Sequence, residues 1–104
     1  MHFAQMHEDA EQLQGQGKLA EAEPLYRRAL EGRTRQLGAD LLDTLQTVAN
    51  LALLLMGQGK LTEAESLCRR ALEGNERQLG ASHQSTLISV NNLALMLNDR
   101  GKLA

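Results

Sequence analysis

A chain of 104 residues makes one compact unit, and 42% hydrophobic but only 2% aromatic residues asks for a core of Leu, Ala, Val and Met. Eleven basic and thirteen acidic residues, mixed along the chain, give a formal charge of −2. That balance excludes the one-signed face of a nucleic-acid or anionic-membrane binder.

No run approaches the roughly 18 apolar residues of a membrane span. The opening segment Met1–Asp9 lacks the basic start and long apolar stretch of a signal peptide. The lone cysteine rules out an internal disulfide framework and fits a reducing, intracellular, cytoplasmic setting.

The dominant feature is a period of 42 residues. Gly17-Lys18-Leu19 returns as Gly59-Lys60-Leu61 and Gly101-Lys102-Leu103, and residues 15–56 match residues 57–98 at 28 of 42 positions. A period of about 20–50 residues marks stacked supersecondary units whose usual role is to present a surface.

In chain order, the first predicted helix carries the stripe Phe3, Met6, Ala10 and Leu13. Its Asp9 stands where later repeats have Leu51 and Leu93, and His7, Glu8, Glu11 and Gln12 are polar too. This reads as an N-terminal cap with no earlier repeat to cover it. A glycine turn follows, then a second helix that must start near Leu19 or Ala20 if Pro24 is to be tolerated.

The next repeat opens with a helix carrying Leu45, Val48, Leu51, Ala52 and Leu55. Gly57-Gln58-Gly59-Lys60 ends it, because glycine accepts the left-handed geometry of a helix C-terminus. Its trailing helix carries Leu61, Ala64, Leu67, Cys68, Ala71, Leu72 and Leu79 and stops at Gly80. Ala52, Ala64 and Ala71 mark where two backbones approach most closely.

A fifth helix repeats the leading pattern as Leu87, Val90, Leu93, Ala94 and Leu97, and a further trailing helix is expected from Ala104. Glu23→Arg27, Glu31→Arg35, Glu65→Arg69 and Glu73→Arg77 are spaced for (i, i+4) ion pairs on a solvated outer face. Gly32 and Gly74 sit inside trailing helices, where each costs about 1 kcal/mol relative to alanine. They point to a bend or to close approach by the next helix.

The string Asn-Leu-Ala-Leu followed by Gly-Gln-Gly-Lys-Leu-x-Glu-Ala-Glu-x-Leu-x-Arg-Arg-Ala-Leu-Glu resembles the tetratricopeptide repeat. The 42-residue period, Gln-Leu-Gly at the end of the trailing helix and Ala-Ser-His-Gln-Ser-Thr-Leu at 81–87 are similar to the long-helix variant of kinesin light chains. His83-Gln84 keeps only the histidine of that variant's His-Pro loop, and Leu41-Leu42 keeps neither residue.

The resemblance implies an all-α, right-handed α-solenoid of antiparallel helix pairs. It would hold five helices in about two and a half repeats, at 1–38, 39–80 and 81–104. It further implies a protein-interaction scaffold that holds a peptide or helix on the concave face of the leading helices.

Carried over by position, the groove would use Gln46, Ala49, Asn50, Leu53 and Met56, then Ile88, Asn91, Asn92, Leu95 and Asn98. Asparagine offers donors and acceptors to a peptide backbone, and methionine adapts to irregular partners. The competing role for Asn50 and Asn92 is bonding to a neighbouring helix. Glu8, Glu11 and Gln14 would make the first repeat's share of the groove acidic.

Leu93 and Leu97 lie on a stripe whose covering helix is missing, and the alternative expectations are a homodimer through this last helix, domain-swapped or packed end to end, or a piece of a longer solenoid. Catalysis has little to stand on. Cys68 aligns with Tyr26 on the buried seam, and Glu63 and Glu65 recur as Glu21 and Glu23 because the repeat recurs. His2 and His7 are not at the i, i+4 spacing of helical metal ligands, and His83 stands alone. A non-enzymatic protein without cofactor or metal, whose partner is a protein or peptide, is therefore expected.

Overall fold

A computed structural model describes residues 2–38 and 41–103, with the side chains of Lys102 and Leu103 excepted. The described residues form five helices: α1 (His2–Gly15), α2 (Leu19–Leu37), α3 (Leu42–Gly57), α4 (Leu61–Leu79) and α5 (Gln84–Leu103). Each helix packs chiefly on its chain neighbours, while α1, α3 and α5 lie side by side in lighter contact. The result is an all-α helical-repeat solenoid measuring 39 × 33 × 19 Å.

The same turn chemistry closes both hairpins. Gly17 and Gly59 each sit at φ 79°, and the following lysine N–H reaches back to Leu13 O (2.8 Å) and Leu55 O (2.9 Å). Those bonds satisfy carbonyls that a helix end otherwise leaves orphaned. α2 begins at Leu19, as Pro24 requires, and Pro24 lies on its exposed side.

The core runs along the seams. Ala10, Ala22, Tyr26, Leu51, Ala52, Leu54, Leu55, Ala64, Cys68 and Met96 form one buried cluster, to which half-buried Leu93 and Met56 are packed. Alanine at 52, 64 and 71 lets the backbones of α3 and α4 close up.

Gly32 and Gly74 are explained by that closeness. A Cβ on Gly32 would run into the ring of Phe3, and one on Gly74 would lie 2.6 Å from Leu45 Cδ1. The close neighbour is the preceding, leading helix of the same repeat and not the next helix, and α2 and α4 both run through the glycine without a break, which corrects the sequence expectation.

The outer charges do more than face solvent. Glu23–Arg27 (2.9 Å), Glu31–Arg35 (2.8 Å) and Glu65–Arg69 (3.1 Å) close within their helices. Arg27 also crosses to the next hairpin and grips Glu63 with both terminal nitrogens, at 2.8 and 3.0 Å. Lys60 returns the bond to Glu23 at 3.1 Å, and Arg100 of α5 meets Glu65 at 2.9 Å.

Hydrogen bonds from Arg27 hold the carboxyls of Glu23 and Glu63 below their ordinary range, and Lys60 adds to the effect on both. The solvated face is therefore also a ladder of ion pairs joining successive units, which corrects the sequence expectation.

α5 departs from the pattern. Gly101-Lys102-Leu103 is helical, where the matching tripeptides turn. Asp99 and Arg100 replace the Gly-Gln of the earlier turns, and Arg100 is held by Glu65 within the helix. The helix expected to start at Ala104 lies outside the described residues.

Candidate functional site

Two junctions of the same architecture stand next to one another: α1 and α2 against α3, then α3 and α4 against α5. They differ in what fills them.

At the first junction, His7 of α1 is buried between α2 and α3. Asn50 Nδ2 donates to His7 Nε2 (3.3 Å), so the neutral ring carries its proton on Nδ1, 3.0 Å from Thr47 Oγ1. Buried Arg33 of α2 donates through Nη1 to Thr47 Oγ1 and to the Asp43 carbonyl, both at 2.9 Å. Tyr26 meets the His7 ring edge-on at 5.6 Å and donates to Gln14 Oε1 at 2.6 Å.

Burial holds His7 below its ordinary pKa, with the Glu11 carboxylate opposing and Arg33 adding to the effect. Burial likewise pushes the Tyr26 phenol up to about 12. This junction is closed by the chain's own side chains.

Forty-two residues on, the same positions hold smaller groups. Ala49 replaces His7, Cys68 replaces Tyr26, Asn75 replaces Arg33 and Leu53 replaces Glu11. Asn75 Nδ2 still reaches Ser89 Oγ at 2.8 Å, in the manner of Arg33 and Thr47. It does not extend to the Ser85 carbonyl, which stands where Asp43 stands in the first junction. What remains is an open cleft of about 500 Å³ between α3 and α5, walled by Ala49, Asn75, Ile88, Ser89 and Asn92.

The candidate groove residues divide accordingly. Gln46, Ala49, Ile88 and Asn92 line the cleft. Asn50 is turned inward, bonding His7 and Glu11 Oε2 (3.3 Å). Asn92, its repeat mate, makes no side-chain hydrogen bond among the described residues.

Leu53 is half-buried and Met56 packs on the core, whereas Asn91, Leu95 and Asn98 are exposed along α5. Glu11 and Gln14 are tied to Asn50 and Tyr26, which leaves Glu8 exposed at the acidic end. Of the self-association pair, Leu97 is exposed and Leu93 is half-buried against the core.

Sequence reasoning missed His7 and Arg33. Its polarity groups His7 with the N-terminal cap, yet the side chain is buried and bonds to α3. A signal existed in the exceptions to the repeat: His7, Tyr26 and Arg33 all change to smaller side chains at 49, 68 and 75.

Cys68 is buried, and burial pushes its thiol up. Among the described residues, no three His, Cys, Asp or Glu side chains converge to hold a metal ion. None of the described helices is long and apolar enough to cross a membrane.

A search of curated proteins found no match. Family models described as tetratricopeptide repeat match residues 44–104 and residues 7–40. With more than half of the chain inside the first match, and a solenoid of antiparallel helices in hand, the chain belongs to the tetratricopeptide repeat family.

Proposed function

We propose that this chain is a non-catalytic interaction module that holds a partner's peptide or helix against the face formed by α1, α3 and α5. Tetratricopeptide repeats generally mediate protein–protein interactions. The observation that carries the reading is the cleft between α3 and α5, where Asn92 offers an amide with no side-chain hydrogen bond among the described residues. Helices of 16 to 20 residues from α2 to α5 favour the long repeat of the kinesin light chain kind, in units 1–38, 39–80 and 81–104. The single buried cysteine suits an intracellular setting.

An Ile88→Ala/Asn92→Ala variant tests the reading. It should remain helical, since Ile88 is exposed and Asn92 half-buried, and lose the peptide partners that the parent captures. Unchanged capture by a folded variant would overturn it.

One observation favours a second reading, self-association through α5. Leu45, Val48 and Leu55 are 2%, 0% and 0% exposed under α4, while their repeat mates Leu87, Val90 and Leu97 are 54%, 47% and 43% exposed. Burying such a stripe against a second copy would stabilise a dimer. Leu87→Ser/Leu97→Ser should then convert a sedimenting dimer to monomer, and a parent that is monomeric at high concentration removes this reading.

A further inference from the structure

The first junction shows what the second one lacks. Each is walled by the leading and trailing helices of one unit and the leading helix of the next. In the first, a guanidinium and an imidazole occupy the space between them, and both donate into the start of α3. In the second, Ala49 leaves that space empty and the shorter Asn75 reaches Ser89 Oγ alone. Two acceptors at the start of α5 stay in place, the Ser85 carbonyl and Ser89 Oγ, the second already taking one bond from Asn75, and Asn92 lines the cleft farther along the helix.

Charge narrows the occupant. Among the described residues no lysine or arginine lines the cleft; Asp43 brings a carboxylate to it and His83 an imidazole. Lysine would bring a strongly hydrated point charge on a flexible stem. Arginine presents a planar fork of five donors that is less costly to desolvate, and the fork suits several fixed acceptors. Ile88 and Leu45 offer apolar wall for the stem of such a side chain.

We propose that the α3–α5 cleft is an arginine-binding subsite, in which a partner peptide's guanidinium takes the place that Arg33 and His7 fill one repeat earlier. This rests on the reading of the α1–α3–α5 face as a peptide groove and names the side chain that anchors there. Asp43 balances the guest's charge, Ser89 and the Ser85 carbonyl accept its donors, and Asn92 closes the site.

The experiment is an NMR titration of the isotope-labelled chain with two degenerate pentapeptide pools, one with arginine and one with citrulline at the centre. Citrulline keeps the planar shape and removes the charge. The arginine pool should shift the side-chain amides of Asn75 and Asn92 and the backbone of Ser89, with the citrulline pool about tenfold weaker. Asp43→Asn, a change at an exposed side chain, should weaken the arginine pool several-fold.

An Ala49→His/Asn75→Arg variant refills the cleft with the residues of the first junction. It should fold, by helical content and melting temperature, and lose the arginine-pool shifts. Equal shifts from both pools along α3 and α5 would leave the groove reading standing and overturn the guanidinium subsite. Silence from both pools would overturn both. Shifts that persist in the refilled variant, or are indifferent to Asp43→Asn, would overturn the subsite alone.

Discussion

Replacing Gly74 with alanine separates helix propensity from packing. Propensity alone makes the substitution favourable by about 1 kcal/mol in a helix interior. The new Cβ would lie 2.6 and 2.7 Å from the two Leu45 methyls and 3.2 Å from Leu45 Cγ, whereas carbon atoms rest at about 3.5–4.0 Å.

The methyls must therefore retreat by roughly an ångström. Leu45 is 2% exposed at the start of the α3 stripe, and because its Cγ as well as both methyls is crowded, a turn of the methyls toward the α3–α5 cleft relieves only part of the clash. Overpacking of this kind costs about 1–3 kcal/mol. The net expectation is a loss of about 1 kcal/mol, or roughly 4–8 °C in Tm for a chain of this size.

Leu45→Ala alone should cost about 2–5 kcal/mol. The Gly74→Ala/Leu45→Ala pair should be about 1–3 kcal/mol more stable than the sum of the single changes, because the clash is gone and the propensity gain remains. Urea and thermal unfolding followed by circular dichroism give the cycle. A Gly74→Ala chain more stable than the parent, with no coupling to Leu45, would refute the argument that close packing selects this glycine.

Three further outcomes follow from the same structure. His7 has its folded pKa lowered from 6.5 by burial, so the unfolded chain binds more protons just below that pH. Stability should be full above about pH 6.5 and decline as pH falls below it, and a folded His7→Gln chain should lose that slope in pH-dependent unfolding. Arg27→Ala removes a partly exposed residue shared between Glu23 and Glu63. It should cost up to about 1 kcal/mol at low salt and less at high salt, with a salt-independent loss contradicting an electrostatic role. The Cys68 thiol, buried and pushed up, should resist iodoacetamide until denaturant unfolds the chain, and rapid labelling in native buffer would contradict its placement in the seam.

Where sequence reading succeeded, it did so through periodic signals. The 42-residue register located the glycine turns, and the apolar spacing located the seam now seen at Val48, Leu51, Leu55, Ala64 and Ala71. Pro24 fixed the start of α2.

Where it fell short, the information lay across helices. His7 meets Thr47 and Asn50 at separations of 40 and 43 residues, and no local pattern reports such a meeting. Asn50 and Asn92 look identical in sequence, yet one bonds across α1 and the other faces an open cleft. What they do was decided by His7 and Ala49, which sit in the register as mere mismatches. The reach of Arg27 to Glu63 was hidden the same way, because its nearer partner Glu23 already accounted for the charge.

The bonded cluster around His7 has a consequence for how the chain finds its own order. α2 and α4 are near copies, so each could in principle lie against the other's neighbours during folding, the mispairing to which repeat arrays are prone. Seams of leucine and alanine would scarcely tell them apart. The cluster does. With α4 in the place of α2, Cys68 would leave the His7 ring uncovered, and Asn75 would be too short to span Thr47 and the Asp43 carbonyl as Arg33 does. Buried polar groups would be stranded, at about 1–3 kcal/mol apiece. The few residues that break the repeat thereby act as an address, directing the first trailing helix to its own berth in a stack whose apolar surfaces are nearly interchangeable.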